Sequence, residues 1–159
     1  MFSVGFGSQR REDQIRWILE NQDPTTAVIL AAVHFEWMLK RTILKLGSNP
    51  TKALRKELEN VYRIPDKRDE LGYKSIWKRE VKSRFKNAAL GNVLGRLLAI
   101  QSVALDLRGR IVHGNGTASR RKAHDAVELF LGAGEKLRDF ATTHGVKLDS
   151  RLRPRLKAR

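Results

Sequence analysis

The amino-acid sequence predicts an all-α protein, an up-and-down antiparallel bundle of four to five helices. Apolar residues recur at spacings of three and four along several stretches, helix start and stop residues bound those stretches, and no convincing strand pattern interrupts them. The connections between the striped segments are short, which favours antiparallel neighbours.

The elements follow in order. Residues 1 to 9 carry no periodic pattern and are expected to be flexible. From Arg10 to Asn21, Ile15, Ile18 and Leu19 mark a short amphipathic helix. Asp23-Pro24 is a start signal, an N-cap followed by proline at the first helical position. Val28, Ala32, Phe35, Leu39 and Leu46 then line one face of a helix stopped by Gly47. Asn49-Pro50 restarts the chain in the same way, and Ala53, Leu54, Leu58 and Val61 carry a helix to about Tyr62. Pro65 ends that pattern, and residues 63 to 74 read as a polar loop. Ser75 to Lys86 forms a short basic helix with Trp77, Val81 and Phe85 four apart on its buried face. A central helix is expected over Ala88 to Val112, with Val93, Leu97, Ile100, Ala104, Leu107 and Ile111 as a buried seam. Gly91 and Gly95 would let another backbone approach it closely. After Gly114-Asn115-Gly116, Thr117 or Ser119 caps a last helix striped by Ala126, Phe130, Ala133, Leu137 and Phe140. Gly132 and Gly134 suggest a bend or close packing within it. One domain over residues 1–146 followed by a flexible basic tail, 147–159, is the simplest division at this length.

The chain has 159 residues, no cysteine and a formal net charge of +15. A balance this basic favours a polyanionic partner held by salt-sensitive contacts. Residues 147–159 hold six Lys or Arg against one Asp, so most of the excess belongs to the rest of the chain. Without cysteine there is no disulfide framework or thiolate metal site, and the four histidines have no metal-ligand spacing. Neither a signal-peptide apolar region nor a bilayer-length run is present. The expectation is a cytoplasmic protein with no membrane partner, metal or cofactor.

The chemically suggestive stretch is Arg108-Gly109-Arg110-Ile111-Val112-His113-Gly114, at the end of the central helix. An imidazole can take or give a proton near neutral pH, and a guanidinium keeps its charge and fits phosphate oxygens. Together they suit attack of a ribose 2′-hydroxyl on the adjacent phosphate, one group moving protons and the other stabilising developing negative charge. A second Arg and His pair, Arg138 and His144 followed by Gly145, runs into the basic tail instead. Five residues on a regular helix separate Arg108 and His113 by about 140°, so either the helix end unwinds or a partner subunit supplies one of the groups. A structural account of the same residues pairs Arg110 with Asp106 and makes His113 a helix C-cap beside a left-handed Gly114. Lys78, Arg79, Lys82 and Arg84, with Arg110 and Asn115 near the candidate site, are the expected nucleic-acid contacts.

Arg108, Ile111, Val112, His113 and Gly114, preceded by one long helix and followed by another, resemble the R-x4-6-H signature of the HEPN superfamily. The likeness as a helix pattern runs from about Asp23 to Phe140. It implies a small helical bundle, commonly a homodimer, and a metal-independent endoribonuclease acting on RNA, of the kind used in toxin–antitoxin or antiviral systems. Arg108 and His113 would take the catalytic roles, Glu36 on an early helix would orient one of them, and a protein antitoxin would be a further partner. Glu36 equally suits an exposed pairing with Lys40, and His34 reads as a packed or surface histidine.

Two departures bear on function. Gly109 stands where active members usually carry a polar residue. Asn115 stands where one subgroup carries a modifiable Tyr. A HEPN-like module that binds nucleic acid or nucleotide without cutting it is therefore the alternative reading, and a HEPN-like regulatory interaction protein, similar to certain corepressors, is a third.

Overall fold

The computed structural model describes residues 10–61 and 72–157, with the side chains of 97–103 left aside. The expected flexible start and most of the expected loop at 63–74 lie outside that set. Among the described residues every regular element is helical, as the apolar spacing requires. In chain order they are α1 (Arg11–Asn21), α2 (Pro24–Leu46), α3 (Thr51–Asn60), α4 (Gly72–Trp77), a π-helical turn (Lys78–Lys82), α5 (Leu90–Leu94), α6 (Leu97–Val112) and α7 (Arg120–Thr143). Among the described residues the helices are thus more numerous than the four to five expected, because the stretches after residue 72 and after Ala88 divide, while α2 and α7 keep their expected lengths. The chain packs as two compact units, one drawn from Met1–Trp37 and Arg96–Glu135, the other from Met38–Gly95 and Lys136–Arg159.

In the first unit α1 buries Ile15 and Leu19, and the start of α2 buries Ala27, Val28, Ala31, Ala32 and Phe35. Asp23 caps α2 as its sequence position implies. Its carboxylate accepts the Thr26 hydroxyl at 2.6 Å and the amides of Thr26 and Thr25 at 2.9 and 3.2 Å. The Thr26 hydroxyl first, then these amides, hold the Asp23 carboxyl below the usual carboxylate range. Ser119 opens α7, its hydroxyl accepting the Lys122 amide at 3.4 Å. Phe130 of α7 packs on Phe35 with ring centroids 6.0 Å apart. Arg16 forks onto Glu128 through bonds of 2.9 and 3.2 Å, tying α1 to α7.

The single central helix expected over Ala88 to Val112 is instead two. Gly95 has φ +57°, a left-handed conformation that ends α5 before α6 begins. A Cβ added at Gly95 would meet nothing within 4 Å, so this glycine turns the chain and does not admit a neighbouring backbone. Within α6, Ala104 and Leu107 are buried as the seam predicts.

The second unit is built around Trp77, Leu54, Leu58, Ile43, Met38 and Leu137, all nearly inaccessible. The Trp77 indole N–H donates to the Ala88 carbonyl at 2.6 Å, and its ring lies 5.8 Å from Phe140. Residues 72–74, assigned to the loop from sequence, are helical. The expected helix over Ser75 to Lys86 gives way to the π turn and then to non-helical turns, with Asn87 at φ +54°.

Asn49 does not cap α3 with its side chain. The fully buried Glu80 carboxylate instead accepts the Ser48 and Asn49 amides at 2.9 and 3.2 Å, the Asn49 side-chain amide, and the Arg79 Nε–H at 3.0 Å. Burial alone would raise the Glu80 pKa; the amides of Asn49 and Ser48 and the Arg79 guanidinium outweigh it, and the net direction is down. Gly47 makes room for this carboxylate, since a Cβ there would lie 2.8 Å from Glu80 Oε2 and 2.7 Å from the Ile43 carbonyl oxygen.

The segment expected as a flexible basic tail makes specific contacts through residue 155. Leu148 is buried, Arg41 donates to the Leu148 carbonyl at 3.0 Å, and Thr51 and Arg155 exchange two hydrogen bonds of 3.2 and 2.8 Å.

Candidate functional site

α6 ends where the spacing of its apolar residues places the end. The Gly114 amide donates to the Ile111 carbonyl at 3.1 Å and the Asn115 amide to the Arg110 carbonyl at 2.8 Å, with Gly114 at φ +72°. These are the two bonds of a Schellman stop, which requires a left-handed residue just past the C-cap. His113 is that C-cap, at φ −87° and ψ 9°, outside regular helical geometry, and its side chain is exposed. Arg108 lies within the last turns of α6 and is half-buried. Arg110 pairs with Asp106 one turn back at 3.3 Å, as the structural account of this stretch expects, and both side chains stay largely in water. Such a pair is worth only about 0.3–0.5 kcal/mol. Gly109 faces open space, with nothing within 4 Å of an added Cβ. Packing therefore does not demand glycine there.

Glu36 sits half-buried on α2, in the same compact unit as Arg108 and His113. Arg110 and Asn115 belong to that unit too. Lys78, Arg79, Lys82 and Arg84 belong to the other, so the six expected nucleic-acid contacts divide between two units. Within the second group the roles differ. Lys78 and Lys82 are exposed. Arg79 forks onto Glu57 at 2.9 and 2.6 Å and also meets Glu80, so its charge is largely matched. Arg84 donates to the Leu46 carbonyl at the end of α2 and lies 5.4 Å from the centre of the Phe85 ring. It braces a helix terminus, a position that favours a cation. Lys82, Arg84 and Lys86 nevertheless line one open cleft of about 520 Å³ with Phe85 and Asn92.

The competing pair at the end of α7 is half-buried and engaged by neighbours. His144 Nδ1 meets the Phe140 carbonyl at 3.0 Å, and its ring contacts those of Phe85 and Phe140 at 4.3 and 4.5 Å. Arg138 lies 3.5 Å from Asp149.

Two buried ionisable sites escape a motif-led reading. Glu80 is one. Glu12 and His34 are the other, 3.2 Å apart with both residues at most 4% exposed. Periodicity does contain the signal: Glu80 lies three residues after the buried Trp77, as Glu12 lies three before Ile15 and seven before Leu19. Among the described residues, no three His, Cys, Asp or Glu side chains gather as metal ligands would, and no helix is long and apolar enough to cross a membrane. No family model, curated protein or solved structure matches this chain.

Proposed function

We propose that the chain is a metal-independent endoribonuclease of the HEPN type. The observation carrying this reading is an exposed imidazole at the C-cap of α6, five positions after a half-buried arginine, in a chain of net charge +15. His113 takes the proton of a ribose 2′-hydroxyl, whose oxygen attacks the adjacent phosphorus. The P–O5′ bond breaks to leave a 2′,3′-cyclic phosphate, and a second imidazole, from the partner copy of a homodimer, protonates the departing 5′ oxygen. Arg108 stabilises the charge on the phosphoryl oxygens, and Glu36 orients one of the two. Val112, a large hydrophobic residue left 48% exposed next to His113, suits a dimer contact at this helix end.

The test is incubation of the full chain with single-stranded RNA in EDTA. Expected products are 2′,3′-cyclic phosphate ends, lost in His113→Ala and in Arg108→Ala. His124→Ala is the appropriate control because that side chain is exposed, whereas His144 is packed. Cleavage that needs added metal, or that survives His113→Ala, overturns the reading.

The second reading, a HEPN-like nucleic-acid-binding module without catalysis, is favoured by the repetition of the His-Gly stop at the end of α7. A histidine and a left-handed glycine are sufficiently explained there by helix termination. RNA retarded in a gel but never cut selects it. Toxin–antitoxin or antiviral use, and a protein antitoxin, belong to the nuclease reading and are tested by toxicity on expression that His113→Ala relieves.

A further inference from the structure

The end of α2 and the segment following α7 form a second basic concavity, which shares no residue with the proposed catalytic group. It has a volume of about 340 Å³, and Lys45, Lys147, Ser150, Arg151, Arg153 and Arg155 are on its wall, which includes no carboxylate. Asp149, the acid nearest in sequence, lies 3.5 Å from Arg138 instead.

Lys45 and Arg155 are held by neutral hydrogen-bond partners. Arg155 donates to the carbonyls of Leu44 at 2.7 Å and Asn49 at 3.1 Å, and Lys45 donates to the Lys147 carbonyl and the Ser150 hydroxyl. Such bonds satisfy N–H groups but leave the charge in place. Part of it answers the ends of α2 and α7, since Lys45 lies in the last turn of α2 and Gly145, also on the wall, just past α7. Each helix C-terminus supplies roughly half a negative charge, about one in total against five cations. Asp149 and Glu80 offset part of the charge at Lys45 and Arg155 from outside the wall, and the exposed Lys147, Arg151 and Arg153 leave an excess of positive charge around one hollow.

Two further features point the same way. Arg155 Nη2 is buried without a hydrogen-bond partner. Burial is the first cause that pushes the pKa values of Lys45 and Arg155 down; at Lys45 the like charge of Arg41 adds to it against a smaller opposing pull from Asp149, and at Arg155 it prevails over the upward pull of Glu80, with Arg84 adding to it. A site that confines cations in this way is relieved by an anion.

We propose that this hollow binds phosphate groups of a single-stranded nucleic acid, with Lys45 and Arg155 as its fixed base and Arg151 and Arg153 as its outer contacts. A strand is favoured over a single phosphate because the cations continue along the chain at every second residue, Arg151, Arg153, Arg155 and Lys157, with all but Arg155 exposed. The hollow is at the low end of the roughly 300–1,000 Å³ typical of small-ligand sites, room for a nucleotide's phosphate and sugar at most. Neighbouring nucleotides would lie on the row outside. This site does not depend on the nuclease reading, since none of its residues takes part in that chemistry.

The experiment titrates the full chain into a fluorescent 20-nucleotide single-stranded RNA across a range of salt, by anisotropy. The RNA carries 2′-O-methyl riboses so that it cannot be cut. Arg151→Ser with Arg153→Ser is compared with Lys52→Ser and Lys56→Ser, which removes the same charge from exposed positions on α3. The first pair is expected to weaken binding about tenfold or more and to flatten the log–log salt slope by about 1.4, the value for two lost single-strand phosphate contacts. The second pair is expected to change affinity less than threefold, and His113→Ala to leave it unaltered. Equal losses in both double variants would mean diffuse attraction and overturn the site, as would no loss in the first. Full competition by micromolar ATP would make the occupant a mononucleotide. Loss of binding only to phosphatidylserine vesicles, with RNA binding intact, would make it a membrane surface. Either result overturns the assignment to a strand.

Discussion

The ends of α6 and α7 are chemically near-duplicates. Each follows an arginine five or six residues back, closes on His-Gly, and carries the same pair of Schellman hydrogen bonds. At α7 the Val146 amide donates to the Ala141 carbonyl at 2.9 Å and the Gly145 amide to the Thr142 carbonyl at 2.9 Å, with Gly145 at φ +76°. Yet His113 is exposed and His144 is half-buried against Phe85 and Phe140. An Arg-x4-6-His-Gly string is thus first a way to stop a helix. Whether its imidazole can meet a substrate is decided by what packs around the stop.

The largest expected effect separates the two histidines by function. On the proposed nuclease reading, His113→Ala should lower RNA cleavage by about 10²–10⁴-fold, the usual range for a lost general acid or base, while shifting stability by less than about 0.5 kcal/mol. His144→Ala should do the reverse, costing about 1–2 kcal/mol in urea unfolding through its aromatic contacts while activity per folded molecule is kept. If both changes act alike in both assays, the distinction between the ends is broken.

Glu80 sharpens the comparison from the packed side, because its unit also holds His144. Glu80→Gln should cost about 2–3 kcal/mol, since a buried carboxylate accepting charged and amide donors is replaced by a weaker acceptor. The sign with pH follows from the lowered folded-state pKa. The contribution is complete above the unfolded value of about 4.3 and is lost as pH falls through the folded value. Wild type should therefore lose stability on acidification over that window, and Glu80→Gln should lose measurably less, as followed by thermal unfolding across pH.

The two stops themselves should be equivalent. Gly114→Ala and Gly145→Ala each place a Cβ at positive φ with nothing within 4 Å, so conformational strain of about 1–2 kcal/mol is the whole expected cost. Costs differing by more than about 1 kcal/mol would show that surroundings govern the stops as well. The smallest effect is at Gly109, where open space and a helical backbone predict that Gly109→Ala stabilises by about 0.5–1 kcal/mol.

Much of the helical pattern was legible because its signals are local. Asp23-Pro24 starts α2, Ser119 starts α7, Gly114 stops α6, and Val28, Ala32, Phe35, Leu39 and Leu46 are all buried as a stripe should be. The misread elements depend on distant partners. Gly95 looks the same in sequence whether it sits inside a helix or breaks one. Asn49-Pro50 looked like Asp23-Pro24, but its amides are taken by a glutamate 31 residues away. The arginines were legible as charge but not as braces: Arg84 and Arg155 serve the C-terminal carbonyls of α2 from 38 and 111 residues along the chain. At the candidate site, the positions of Arg108 and His113 could be read, but not that Gly109 faces open space.

What the sequence determined by itself is the helical class, most helix boundaries, the His113-Gly114 stop and the excess of positive charge. Each depends on backbone geometry or composition within a few residues. Only the tertiary structure decided which histidine packs against aromatic rings, which arginines are already matched, where Glu80 is buried, and which cations share a hollow without a carboxylate. Those outcomes depend on which groups from remote segments enter the same few ångströms, where burial and pairing set the energy of a charge.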